Sequence, residues 1–334
     1  MNADRETTFR TLQREVNENL ALIDVTSQEM SNRGHNCWIW DATQLPTNSH
    51  YFPVYCALLE TLEKAGNIHP DRDILVETTT GSAGASFAFV ARRLGYEAIV
   101  IIPEDMPTPR KQVVEEQLPE TPNSQILYSP PGQYVKGLVG TLRRFLVKHR
   151  GGIGDKAIFA VDHSRRPESC LALGAAVTNV LSELPPGVTI DRAVVALGNG
   201  TSATGMKLAL SAHNPNATLI GMEPLEAPNF FIKKYGAERF VQTYGVAPRF
   251  HQHLLIGTGG WGVEFPLLKT DDIDEIRLVG PSSWQTQKSR LTDKGFLVGN
   301  SSAACYAVIQ QQSMLEDDKQ LDFFSIFYDS SDRY

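Results

Sequence analysis

The chain has 334 residues, a net charge of −7, 42% hydrophobic and 21% charged residues, enough for two domains or one large α/β unit with an ample core. The acidic balance and the absence of any Lys/Arg block exclude a nucleic-acid footprint, and no stretch approaches the roughly 18 apolar residues of a membrane span. Met1–Glu6 lacks the basic and then apolar order of a signal peptide, and Cys37, Cys56, Cys170 and Cys305 form no C-x-x-C pair; a cytoplasmic, reducing location with no zinc site is expected.

Phe9, Leu12, Val16 and Leu20 recur at helical spacing, so the chain is expected to begin with an amphipathic helix over 7–20. A turn at Arg33–Asn36 leads into a strand over 37–40, where Trp38 and Trp40 read as packing residues. A helix follows over 53–65, stopped at Gly66, with Cys56 in its core. From there strands are expected at 74–77, 97–102, 125–129, 157–162, 190–197, 218–223, 275–279 and 323–328. Helices are expected between them at 86–94, 110–117, 137–149, 168–184, 204–212, 283–292 and 303–312. Such interleaving predicts an α/β protein with parallel twisted sheets flanked by helices. Pro130–Gly132 and Gly151–Gly154 interrupt the pattern, the second as a hinge.

Four turns rich in small residues stand out. Asp73–Glu77 reads as a buried parallel strand, and the chain then turns through Thr79, Thr80, Gly81, Ser82, Ala83 and Gly84 into a helix. The open N–H groups at that helix start are a seat for a carboxylate or phosphate, although an ordinary βα turn has the same composition. Gly198, Asn199, Gly200, Thr201 and Ser202 form a second such turn after Ala193–Leu197. It lacks the G-K-[ST] of a Walker A loop, and Ala203 replaces the third glycine of a dinucleotide fingerprint. Ile256–Gly260 and Gly299–Ala303 complete the set. All four are expected at the carboxyl edge of the sheets, where open α/β folds bind ligands.

Taken together these segments resemble the cysteine synthase/cystathionine β-synthase group, the fold-type II family of pyridoxal-phosphate (PLP) enzymes, with the tryptophan synthase β-like fold. Thr79–Gly84, the helix to Gly95-Tyr96 and the strand ending Pro103-Glu-Asp-Met106 are similar to the family's T-S-G-N-T-G, G-Y and P-E-x-M. Gly198–Gly205 resembles its phosphate cup G-T-G-G-T-x-T-G, and Leu219–Pro224 its strand V-I-G-V-E-P. Gly257–Gly259 looks like the loop over the cofactor ring, and Gly295–Ser302 is similar to G-x-L-x-G-I-S-S. The resemblance spans residues 37–312 and implies two domains: 46–156, smaller, with the substrate-carboxylate loop, and 1–45 plus 157–334, larger, with the phosphate cup.

The departures are as informative. Counting back from Glu63-Lys-Ala-Gly66, the family's S-x-K-D-R falls on Ser49, His50, Tyr51, Phe52 and Pro53, so Tyr51 stands where the Schiff-base lysine belongs. Tyrosine forms no imine, and a phenol of ordinary pKa ~10 is a poor base near neutrality. Ser82 and Ala83 replace the family's asparagine and threonine, and Asp162 its glutamine. The resemblance assigns Gly198, Asn199, Gly200, Thr201 and Ser202 to a phosphate, Ser301 to the pyridine nitrogen, and Thr79 to Ala83, Asp162 and Gly257 to substrate. Tyr51, His50 and Ser82 are the polar groups at hand for catalysis, although neighbours on extended chain point opposite ways, which argues against Tyr51 and His50 as a pair. Lys64 and Lys111 lie away from the expected ring; Lys207 is the remaining amine to check. His251 and His253 share a presumed strand face without a third ligand, so no metal is expected. Trp261, after the ring-covering loop, reads as packing.

Three functions stay open: a divergent lyase or transferase acting on an amino acid or related small carboxylate without a lysine-bound PLP, by elimination or replacement; a pseudoenzyme serving as a ligand-binding, regulatory or partner subunit; and an ordinary PLP-dependent lyase or synthase. PLP is either absent or bound without a covalent link. The partners expected are a small amino-acid-like, carboxylate or phosphate ligand and, by resemblance, a second copy in a homodimer, with no nucleic acid or membrane.

Overall fold

The computed structural model describes residues 3–259, 263–315 and 319–334. The chain begins α1 (Ala3–Glu18), β1 (Leu22–Asp24), α2 (Gln28–Ser31), β2 (Asn36–Asp41) and α3 (Tyr51–Lys64). It continues β3 (Asp73–Thr78), α4 (Ser82–Arg93), β4 (Glu97–Pro103), α5 (Thr108–Glu115), β5 (Gln125–Ser129), α6 (Tyr134–Lys148) and β6 (Ala157–Ala160). Next come α7 (Pro167–Leu181), β7 (Arg192–Ala196), α8 (Thr201–His213), β8 (Thr218–Pro224), α9 (Asn229–Tyr235) and α10 (Ala237–Tyr244). The last elements are β9 (Glu275–Val279), α11 (Pro281–Asp293), α12 (Asn300–Ser313) and β10 (Asp322–Phe327). Trp261 lies outside the described residues.

Two sheets carry the fold. One has the order β5-β4-β3-β6 and is parallel throughout. The other has the order β1-β2-β10-β7-β8-β9, with only β1 antiparallel to its neighbour. Helices cover both faces, so the central strands are buried on both sides and read as continuous apolar runs: Ile74, Leu75 and Val76 of β3 are fully buried, as are Ala193, Val194 and Val195 of β7.

The smaller sheet reaches further along the chain than expected. β6 pairs with β3 through Asp73↔Ala157 to Val76↔Ala160, so its residues belong with 73–129, beyond the boundary drawn at 156. The N-terminal helix also departs from the larger domain to which sequence assigned it. α1 packs on α3, tied to it by Arg5 Nε donating to Glu63 Oε1 at 2.7 Å and to α4 by Arg93–Glu15 at 2.8 Å. The segment 247–255 holds no strand, so His251 and His253 do not share a strand face; His251 is exposed and His253 buried.

Two local devices aim the helices at the cleft between the sheets. Thr79 Oγ1 accepts the backbone N–H groups of Gly81 and Gly84, both at 2.9 Å, which starts α4 at Ser82, four residues before the helix read from sequence. Gly84 is required there because a Cβ would lie 2.4 Å from Thr79 Cγ2. At α3, Ser49 bridges Asp329, and the His50 N–H donates to the Tyr328 carbonyl at 3.1 Å. The start of α3 is therefore bound to the carboxyl end of β10, which carries Tyr51 into the cleft.

Gly200 opens α8 at φ +99°, and a Cβ there would meet the Leu268 backbone nitrogen at 2.5 Å. Gly200→Ala is expected to lower stability by about 1–3 kcal/mol through left-handed strain and backbone collision. A lower denaturant midpoint checks this; an unchanged midpoint contradicts the account of the turn.

Candidate active site

The carboxyl ends of β3, β6, β7 and β10 open onto one cleft of about 510 Å³. Of the residues singled out in the sequence, His50, Tyr51, Thr79, Thr80, Ser82, Ala83, Asp162, Gly198, Asn199, Gly200, Ser202, Gly257 and Ser301 line it. Gly81 and Thr201 do not: Gly81 turns at φ +133° against the Arg110 side chain, and Thr201 is fully buried.

His50 and Tyr51 are brought side by side, against the expectation from extended chain. Tyr51 is the first residue of α3, and the two rings stand 4.2 Å apart, tilted by 44°. His50 Nδ1 lies 3.2 Å from the Tyr328 carbonyl, and Nε2 lies 3.3 Å from Ser202 Oγ. Burial pushes the His50 imidazole down to about 4, so it is neutral at physiological pH. Burial pushes the Tyr51 phenol well up, and the Asn199 hydrogen bond offsets this only in part. Neither group is a ready base at neutrality.

Behind Tyr51 runs a buried polar chain that links the two sheets. Asn199 Nδ2 is 3.4 Å from Tyr51 Oη and 3.0 Å from His163 Nε2. His163 Nδ1 is 2.9 Å from Tyr55 Oη and 3.2 Å from Glu77 Oε2, and Tyr55 donates to Glu77 Oε2 at 3.1 Å. Glu77 is on β3, Tyr55 on α3, His163 follows β6 and Asn199 follows β7.

A second cluster stands at the α4 end. Ser82 Oγ donates to Asp329 Oδ2 at 2.6 Å, and Arg110 Nη2 donates to the same oxygen at 3.2 Å. The Arg110 guanidinium also lies 4.3 Å over the Tyr334 ring and donates to the Thr80 carbonyl at 3.2 Å. Arg110 and Asp329 are 2% and 4% exposed, so removing either would strand a buried charge at a cost of about 3–5 kcal/mol. On the facing side Tyr134 Oη accepts the Gly257 N–H at 2.6 Å. Asp162, itself at φ +49°, accepts from Ser164 Oγ at 2.9 Å.

No lysine lines the cleft among the described residues. Lys64 pairs with Glu60 at 2.6 Å, Lys111 donates to the Glu104 carbonyl at 3.0 Å and Lys207 pairs with Asp274 at 3.3 Å. Lys288 donates to Asn300 Oδ1 at 2.7 Å beneath the Tyr334 ring and stays outside the lining. Among the described residues, no group of three or more His, Cys, Asp or Glu could hold a metal ion.

A family model described as pyridoxal-phosphate dependent enzyme matches residues 22–322. The chain belongs to this family. Cysteine synthase of Staphylococcus aureus is 26% identical over 274 residues, covering 81% of this chain and 79% of that protein. In structure the chain is similar to an O-acetylserine-dependent cystathionine β-synthase from Helicobacter pylori (TM-score 0.78, 19% identity, 96% of each chain). It is also similar to a hydrogen sulfide-producing enzyme from Fusobacterium nucleatum (TM-score 0.79, 18% identity, 96% of this chain and 98% of that one). The architecture is the two-domain fold-type II arrangement of that family.

The residues present fit the family's cofactor at its phosphate and ring-nitrogen ends, and no lysine among the described residues lines the cleft between them. Ser301 Oγ lines the cleft, is buried and has no hydrogen-bond partner among the described residues, as a hydroxyl reserved for a ring nitrogen would be. At the start of α8 the Thr201 N–H is taken by Asn199 Oδ1, and the N–H groups of Ser202 and Ala203 that follow have no intrahelical acceptor and suit a phosphate. Tyr51, which the count along the sequence sets where the family's lysine is expected, lines the same cleft.

His163, Tyr55, Glu77, Arg110, Tyr134, Asp329 and Tyr334 were not singled out by sequence reasoning. Glu77, His163 and Asp329 each sit at or just beyond the carboxyl end of a parallel strand, so the strand-end rule applied residue by residue finds them. Arg110 carries no such signal; only the folded chain buries it.

Because burial holds His50 near 4 against an ordinary 6.5, the unfolded chain binds the extra proton between those values. His50 thus contributes stability that is present above pH 6.5 and lost as pH falls toward 4. The stability of wild type relative to His50→Asn, from urea unfolding, is expected to shrink over that window; a pH-independent difference contradicts the buried neutral imidazole.

Proposed function

We propose that this member of the PLP family binds PLP without a covalent link and uses the cleft for elimination or replacement chemistry on a small amino-acid-like carboxylate. The observation that carries the reading is a cleft with a free Ser301 hydroxyl and a phosphate-type helix start but no lysine among the described residues that line it. The S. aureus relative is named a cysteine synthase, which supports a substrate of the serine or cysteine class.

The roles follow from position. The α8 start at Gly200–Ser202 holds the phosphate, and Ser301 meets the pyridine nitrogen. The open N–H groups of Ser82 and Ala83, with Thr79 and Thr80 beside them, seat the substrate carboxylate. Asp162 and Gly257 bound the substrate from the other side. His50 and Ser202 act as a neutral hydrogen-bonded pair, and Tyr51 stays protonated. When bound, PLP supplies an electron sink for charge developing next to the substrate amine.

A binding protein or partner subunit is the second reading. It is favoured by the burial that leaves His50 neutral and Tyr51 protonated, so that neither is a strong base.

Purified full-length chain incubated with PLP is expected to gain stability by mass action, about 2.7 kcal/mol at a hundredfold excess over Kd. After borohydride reduction and digestion, no lysine peptide should carry a stoichiometric pyridoxyl group. A stoichiometric pyridoxyl-lysine would identify an ordinary tethered enzyme, and no stabilisation would remove PLP from the account. Product formed from serine, cysteine or their O-acetyl and O-phospho derivatives separates the enzyme from the binding protein.

A further inference from the structure

The hydrogen bonds around Tyr51 have a direction that follows from donor and acceptor chemistry. Asn199 Oδ1 accepts the Thr201 backbone N–H at 3.0 Å, which fixes the amide so that its NH2 group points away from α8. An amide nitrogen only donates, so both neighbours of that group must accept. One is His163 Nε2 at 3.0 Å. The imidazole lone pair is therefore at Nε2 and the proton at Nδ1, where Tyr55 Oη at 2.9 Å and Glu77 Oε2 at 3.2 Å receive it. Tyr55 in turn donates its O–H to Glu77 Oε2 at 3.1 Å, and the chain ends on that buried carboxyl group.

The other neighbour is Tyr51 Oη at 3.4 Å. Tyr51 thus accepts a hydrogen bond from behind, and its own proton has no hydrogen-bond acceptor among the described residues. Its ring is braced edge-on by His163, with centroids 5.2 Å apart, and by the tilted His50 ring at 4.2 Å. A phenol held in this way, on the wall of the cleft, presents its O–H outward.

We infer that Tyr51 is a fixed hydrogen-bond donor to an oxygen of the bound ligand, and that Asn199, His163, Tyr55 and Glu77 are the residues that position it. The inference rests on the proposed function in one respect: the oxygen is the one on C4′ of the B6 ring, because Tyr51 stands at the tether position of the family. The residue that cannot form an imine becomes a selector for ligands that carry oxygen at that carbon. Glu77 and Tyr55 lie behind the lining and His163 is on it; their side chains are joined to Tyr51 through Asn199.

The test compares pyridoxine 5′-phosphate with 4′-deoxypyridoxine 5′-phosphate by titration calorimetry on the full chain. The two compounds differ by that one oxygen, and neither forms an imine with a lysine. Wild type is expected to prefer the oxygen-bearing compound by roughly threefold to tenfold, the range of one net hydrogen bond. Tyr51→Phe keeps the ring packing and should bring the ratio near one. Asn199→Leu should weaken both compounds through the phosphate turn and still lower the ratio, because the hydroxyl loses its anchor; a merely structural Asn199 would weaken both and leave the ratio unchanged. Equal affinities in wild type, or a preference that survives in Tyr51→Phe, overturns the inference alone. If neither compound binds, the proposed function falls and the donor role falls with it.

Discussion

The side chain of Asn199 is the joint on which the site depends. It sits at the start of α8, at the edge of the six-stranded sheet, and its amide reaches Tyr51 on α3 and His163 just after β6, which in turn meets Glu77 on β3. Its oxygen is held by the helix start and its nitrogen by His163 and Tyr51. From Asn199 to Glu77 each contact joins a donor to an acceptor, as a buried network requires because an unmatched member costs about 1–3 kcal/mol, and the Tyr51 O–H alone is left to face the cleft. The network therefore fixes Tyr51 and, with it, the relation between the two sheets on that side of the cleft.

The same geometry explains why so much of the site converges without any single motif. Parallel strands end together, so Glu77 and His163 arrive at one edge of the four-stranded sheet and Asn199 and Asp329 at the edge of the six-stranded sheet that meets it at the cleft. The bond from the His50 N–H to the Tyr328 carbonyl then brings α3 to that edge as well. The cleft has two distinct halves. One is the hydrogen-bonded chain from Tyr51 to Glu77. The other is the Arg110–Asp329 pair, which takes the Ser82 hydroxyl and shapes the start of α4. Burial dominates the electrostatics of the first half, keeping His50 neutral and Tyr51 protonated. The chemistry available from the protein's own side chains there is accordingly that of donors and acceptors rather than of strong bases.

Much of this was legible in the sequence because small residues leave a clear signal where backbone must turn sharply from strand to helix. Gly81, Gly84, Gly198 and Gly200 marked two strand-to-helix turns that border the cleft, and Tyr51, singled out by the count back from Gly66, lines it as well. Helix starts were less legible. α4 begins at Ser82 because Thr79 caps the turn through its hydroxyl, and propensity does not report that bond. His50 and Tyr51 were read as facing apart because an extended chain was assumed where a helix begins. The domain boundary missed β6, since a strand's partner is a tertiary fact: Ala157–Ala160 reads alike beside β3 or beside β7. His163, Tyr55 and Arg110 looked like ordinary helix, turn or surface residues, and only the fold gives them partners.

The most direct test of the central claim is a crystal structure of the full chain grown with PLP. The account predicts a phosphate at the start of α8 beside Ser202, the ring nitrogen at Ser301 and an unlinked C4′ oxygen facing Tyr51. Continuous density from C4′ to any lysine nitrogen, or PLP bound outside the cleft, would contradict it.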